Sequence, residues 1–264
     1  MRILEILICT IDDGINRVNH TILPPISYIK YLISWQRTND NKTDIPNALL
    51  DREDVRIVTM KGKGLSANRN NALANATGDI LVLADDDAKY TPEYFKTILH
   101  AYEENPGEDI LTFQMADEMG NLLKKYPIYP FNYAQCPKGF YYSSLEITML
   151  RKSDLPQFDT RFGLGADYLG CGEEEVFLHD AAKRKLSIRY IPKVIVETEK
   201  STTGAKFDTD VKVRRAKGAV LFVLHGYRSA TLRCLKQALK LKKNTLRSFI
   251  DMYDGIKYMK NGNK

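Results

Sequence analysis

Residues 76–95 read ATGDILVLADDDAKYTPEYF, and this stretch decides the fold class. An apolar run, Ile80 to Ala84, delivers Asp85, Asp86 and Asp87 at its C-terminal end. Thr91-Pro92-Glu93 then opens a helix with a capping residue, a proline at the first helical position and an early acid. In open α/β sheets the carboxyl edge of such a strand is where ligands bind. Three adjacent carboxylates repel one another by ~1 kcal/mol per pair when solvated, and by several times that when partly buried. A hard divalent cation, Mg²⁺ or Mn²⁺, removes that cost, and Asp85 and Asp87 share one side of an extended chain and so could share it. A solvated loop with capping aspartates accounts equally well for the bare triplet. A phosphatase working through an aspartyl-phosphate would place threonine where Lys89 stands.

Working outward, further short β-branched runs predict strands at Ile3–Cys9, Tyr28–Trp35, Val55–Met60, Ile110–Gln114 and Ile188–Ile191. Helical patterns lie between them: Ser66–Ala76, with Ser66 as cap and Gly78 as terminator, Thr91 to about Glu104, and Gly172–Asp180. Near-continuous apolar strands alternating with helices predict an α/β fold with a mostly parallel sheet. Tyr126 to Tyr142, aromatic and proline-bearing, reads as irregular structure, either beside a binding cleft or as a plain loop. The segment Gly62 to Asn70 sets a glycine-flexible turn and two cations before a helix N-terminus, which suits a diphosphate. It is neither a dinucleotide fingerprint nor a Walker loop.

The whole chain has 264 residues, 44% of them hydrophobic, with a formal charge of +6. That is enough for a core without disulfides, and it excludes collagen, wholesale disorder and a disulfide scaffold. The charge is unevenly divided. Residues 212–264 hold 14 Lys and Arg against Asp251 and Asp254, whereas residues 1–211 hold 25 basic and 31 acidic side chains. An acidic body thus precedes a basic tail with helical periodicity at Leu232, Leu235, Leu239, Leu246, Phe249, Ile250 and Tyr253. Such a tail suits an anionic membrane surface, or packs on the domain with its lysines in water. Nucleic acid is a poor partner, because no recognition module is visible and the acidic body repels phosphate. Cys9, Cys136, Cys171 and Cys234 show no metal-ligand spacing and read as reduced thiols. With no apolar stretch of spanning length, the expected location is cytoplasmic, or peripheral at the inner membrane face.

The run GLSANRNNALANATGDILVLADDDAKYTPEYF, residues 64–95, resembles the donor half of family 2 glycosyltransferases of the GT-A fold, the bacterial surface-polysaccharide type. The likeness covers about residues 1–115, and about 170–200 more loosely. It implies a GT-A catalytic domain over 1–204, with a nucleotide-sugar half (1–115) and an acceptor half (116–204). A hinge at Ser201–Gly204 would then lead into the basic helical region, 205–264. By the same resemblance Thr10, Asp13, Arg69, Asp79, Asp85 and Asp86 are donor-binding residues, and Asp87 with Asp85 holds Mn²⁺ or Mg²⁺. Gln36 stands where the family usually ends its second strand in aspartate, which leaves UDP as the favoured but unspecified nucleotide. In the family's ED position this chain has Glu174-Glu175, before a strand reading Ile188-Arg189-Tyr190-Ile191-Pro192. Glu175 is then the base that deprotonates the acceptor, with Glu174 as the alternative, and transfer inverts the sugar carbon. The histidine that many relatives carry after this strand is missing from Val194–Glu199. The implied function is transfer from a nucleotide-sugar to a glycan or polyprenyl-linked acceptor in surface-polysaccharide synthesis. A degenerate scaffold of the same fold, or a metal-dependent nucleotidyltransferase, would share the acidic strand end.

Overall fold

The computed structural model describes residues 2–38, 42–198, 203–241 and 244–262. In chain order the elements are β1 (Leu4–Ile11), β2 (Ile29–Arg37), α1 (Asn47–Leu50), β3 (Val55–Lys61), α2 (Leu65–Asn75), β4 (Ile80–Asp85), α3 (Pro92–Glu104), β5 (Ile110–Ala116), β6 (Phe131–Asn132), β7 (Ile147–Leu150), α4 (Glu173–Lys183), β8 (Ile188–Glu197), α5 (Val211–Leu239) and α6 (Thr245–Lys260). The chain divides into two compact units. The first holds Met1–Lys63, Ala67–Gln157 and Asp180–Lys200; the second holds Gly64–Ser66, Phe158–His179 and Ser201–Lys264.

The first unit is built on one eight-stranded sheet in the order β3-β2-β1-β4-β7-β5-β8-β6. The first four strands are parallel, and β5 and β8 run with them, whereas β7 and β6 run against. This is the mixed, mostly parallel α/β sheet expected of a GT-A fold. All five apolar residues of β4, Ile80 to Ala84, are buried, which is why the strand reads as a continuous rather than an alternating run. The thread of α3 is also as expected: Thr91 caps it by accepting from the Tyr94 amide at 3.3 Å, and Phe95, Ile98, Ala101 and Tyr102 form its buried stripe. Strand β7 has no counterpart among the expected strands; at four residues it is too short to show a period.

Two local readings change. Ser66 lies inside α2 and does not cap it; its hydroxyl donates to the Phe162 carbonyl at 2.6 Å. Gly78 does not end a helix either. A Cβ there would lie 2.5 Å from that of Glu5, and the Gly78 amide donates to the Glu5 carboxylate at 2.7 Å, as does that of Thr77 at 2.5 Å. Glu5, the one acid in the first strand, is thus buried to hold the turn. The aromatic stretch is irregular as expected, yet several of its rings pack together: Phe131 stacks on Tyr190 with centroids 4.7 Å apart, and Phe140 meets Tyr142 edge-on at 5.1 Å.

In the second unit α5 and α6 pack closely. Arg214 and Asp251 form a buried ion pair, with Nε 2.7 Å from the carboxylate. Gly218 backs onto the Met252 carbonyl with no room for a side chain. Gly226, at φ 73° and ψ 171°, breaks α5 in two. Among the described residues no helix is long and apolar enough to cross a membrane. None of the four cysteines is in a disulfide, and Cys9 and Cys234 are buried. Of the expected hinge, Ser201 and Thr202 lie outside the described residues, as do Lys242 and Lys243 of the tail and Glu199 after β8.

Candidate functional site

The candidate site lies wholly in the first unit, at the carboxyl ends of β1, β2 and β4. Register aligns them: Cys9 pairs with Asp85, Thr10 with Trp35, and Ile11 with Gln36. Here the chain leaves β1 for β2 on one side, whereas β4 joins on the other. Such a switch point opens a crevice at the sheet edge where ligands bind. Thr10, Gln36, Asp85, Asp86 and Asp87 therefore converge at one edge, and Arg69 joins them from α2.

The three aspartates face different surroundings. Asp85 ends β4 with 36% of its side chain exposed, while its inner oxygen, Oδ1, is buried and accepts no hydrogen bond. The guanidinium of Arg69, itself only 2% exposed, stands 3.6 Å from that oxygen. Burial raises the Asp85 pKa above the usual carboxylate range; Arg69 opposes the shift, and Asp87 and Asp86 add to it. Asp86 turns inward. It accepts from the Thr10 hydroxyl at 2.5 Å and from Arg17 Nη2 at 2.8 and 2.9 Å, and its own carbonyl accepts from Thr21 at 3.2 Å. Asp87 is exposed, and the next turn is pinned where the Lys89 amide donates to the Glu197 carbonyl at 2.9 Å.

The nucleotide-side candidates are placed as follows. Thr10 is buried against Asp86, and its carbonyl accepts from Asn68 Nδ2 at 2.9 Å. Gln36 is buried at the end of β2. Asp13 is exposed on the short helical turn after β1 and accepts from the Thr43 hydroxyl. Asp79 is not at this edge. It precedes β4 and accepts from the Ile3 amide at 2.7 Å, at the opposite end of a strand of six residues. At ~3.3 Å per residue that is about 20 Å from Asp85, so the TGD turn anchors the amino edge of the sheet.

Three residues at the edge were not singled out from the sequence. Arg17 holds Asp86; Asn68 joins α2 to β1; and Asp12, in a left-handed conformation at φ 46°, accepts from the Thr38 amide at 2.8 Å and fastens the end of β2. Asn68 had a local signal, since it stands beside Arg69 at the start of α2, and its Oδ1 is buried without a hydrogen bond.

In the second unit, the first turn of α4 carries Glu173, Glu174 and Glu175. Glu173 is buried beside Gly163, whereas Glu174 and Glu175 are half-buried. Among the described residues no cluster of three or more His, Cys, Asp or Glu is arranged to hold a metal. The donor set that does fit a hard divalent cation is smaller: Asp85, whose buried oxygen lacks a hydrogen-bond donor, and the exposed Asp87. Mg²⁺ commonly takes only one or two carboxylates and completes its shell with substrate phosphates and water.

Comparison with known proteins agrees with the fold. Residues 38–156 match the family model described as glycosyl transferase family 2. A curated relative, glucosyl-dolichyl phosphate glucuronosyltransferase of Haloferax volcanii, is 31% identical over 72 residues, 27% of this chain. That match spans only 21% of the relative's length. Among solved structures, residues 1–349 of S. aureus TarS superpose with a TM-score of 0.62 at 14% identity, covering 96% of this chain and 81% of that one. The same protein in complex with UDP gives 0.54 at 15% identity, covering 95% and 80%. At that identity the structures speak for the fold, and the stretch 38–156, somewhat under half of the chain, is similar to family 2 glycosyltransferases.

Proposed function

We propose that this chain transfers a sugar from a nucleotide-diphosphate donor, UDP-sugar being favoured, to a glycan or lipid-linked glycan acceptor in cell-surface polysaccharide synthesis. The reading is carried by the Asp85 carboxylate at the sheet's switch point, where one oxygen is buried without a hydrogen bond. The S. aureus neighbour was solved with UDP, which supports the choice of nucleotide. Asp85 and Asp87 would hold Mn²⁺ or Mg²⁺, which when bound offsets the charge of the diphosphate as it leaves. Asp86 belongs to the donor set through Thr10 and Arg17, which it positions. Thr10, Asp13, Gln36 and Arg69 line the nucleotide side. Glu175, with Glu174 as the alternative, takes the acceptor's hydroxyl proton as the oxygen bonds to the sugar carbon. The bond from that carbon to the diphosphate oxygen breaks on the opposite face, so configuration inverts.

The test is thermal unfolding with UDP and Mn²⁺. Saturation near one hundred times Kd is worth about 2.7 kcal/mol, or roughly 5 °C or more in a domain of this size. The gain should vanish in Asp87→Ala. If no nucleoside diphosphate with metal stabilises the protein, the proposal is wrong.

A further inference from the structure

The leucine stripe of the basic tail does not face the core. In the second half of α5 the buried positions are Ala230, Cys234 and Ala238, which pack with Met252 and Ile256 of α6. Leu232, Leu235 and Leu239 fall on the opposite side of the helix, 68%, 43% and 69% exposed. Across the connecting turn, Leu246 and Ile250 of α6 are 71% and 48% exposed. Leu232, Leu235 and Leu239 thus form an exposed aliphatic stripe along two turns of α5, and α6 carries exposed aliphatic side chains of its own. Leaving that many apolar groups in water is costly, and contiguous exposed apolar surface marks an interaction site.

The surrounding charge selects the partner. Arg228, Arg233, Lys236, Lys240 and Arg247 are exposed around these leucines. From Lys212 to Ile250 the chain has eleven Lys and Arg and no Asp or Glu. Two copies of such a surface would repel each other, which disfavours self-association. A nucleic acid would use the cations but not the leucines. A sheet of anionic headgroups over hydrocarbon uses both, because the aliphatic chains enter the acyl boundary while the cations stay among the headgroups. We propose that this stripe docks the chain on an anionic lipid bilayer, lying on the surface without spanning it. The inference concerns the second unit alone and does not depend on the donor chemistry of the first.

The test is co-sedimentation of the full chain with vesicles of phosphatidylcholine alone, and of phosphatidylcholine with 30% phosphatidylglycerol, a composition of about that order being enough to give a charged surface. The protein should bind the anionic vesicles, release with rising salt, and bind the zwitterionic ones at least tenfold more weakly, an effect of order 1.4 kcal/mol. The triple variant Leu232→Gln, Leu235→Gln, Leu239→Gln should lose about 100-fold in partition, since roughly 1 kcal/mol of apolar transfer goes with each leucine. The pair Lys236→Gln, Lys240→Gln should lose about 30-fold. All five positions are exposed, and unchanged far-ultraviolet dichroism and melting confirm that the variants fold. Equal binding to both vesicle types, or full binding by the leucine variant, overturns the proposal. So does a dimer in solution that the leucine variant dissociates, or tighter binding to single-stranded RNA than to anionic vesicles at equal salt.

Discussion

Arg17 grips both carboxylate oxygens of Asp86, at 2.8 and 2.9 Å, across 69 residues of sequence. The middle member of the DDD triplet is therefore committed to holding the turn after β1 against the end of β4, a role distinct from the one proposed for Asp85 and Asp87. This separation of duties makes a prediction about stability. Asp86→Ala leaves the buried Thr10 hydroxyl without its acceptor and should cost about 1–3 kcal/mol in urea unfolding. Arg17→Ala, whose side chain is 60% exposed, should cost less than about 1 kcal/mol.

Kinetics separate the glutamates of α4. Glu175→Gln should lower kcat by about 100-fold or more with little change in donor KM, the loss expected when a general base is removed. Glu174→Gln should be milder. If the two lose equally little, the proton leaves by another route.

The helical hairpin of the second unit depends on close approach. A Cβ at Gly218 would fall 1.8 Å from the Met252 carbonyl oxygen, so Gly218→Ala must push the helices apart and should cost about 1–3 kcal/mol. Arg214→Met strands Asp251 in a buried site and should cost about 3–5 kcal/mol. Thermal and urea unfolding of the two variants check both figures.

Alkali should destabilise the same unit. Burial pushes the Cys234 thiol up to about 11, so the folded protein keeps this proton where an unfolded chain loses it. The stabilising contribution is complete below the ordinary thiol value near 9 and is lost as pH rises toward 11. Native protein should resist alkylation at Cys234 at pH 8.5, and unfolding midpoints should fall between pH 9 and 11. Cys234→Ala should make that fall shallower.

The strand, its acidic end and the capped helix after it were legible from residues 76–95 because each signal is local: apolar continuity, a carboxylate triplet, Thr-Pro-Glu. The same locality misled at the TGD turn. Asp79 stands six residues before Asp85, and an extended strand puts those six residues across the full width of the sheet. Nothing near Asp86 in sequence announces Arg17, since their meeting depends on how the turn after β1 folds back beside β4.

The tail shows the same division. Its composition alone determined a basic, helical segment with a leucine period, and the acid count determined its charge. Which face the leucines occupy was decided by packing. Helices approach closely where side chains are small, so Ala230, Cys234, Ala238 and Gly218 took the interior. The leucines, too bulky for that contact, were left outside, where tertiary structure turned an apparent core stripe into a surface.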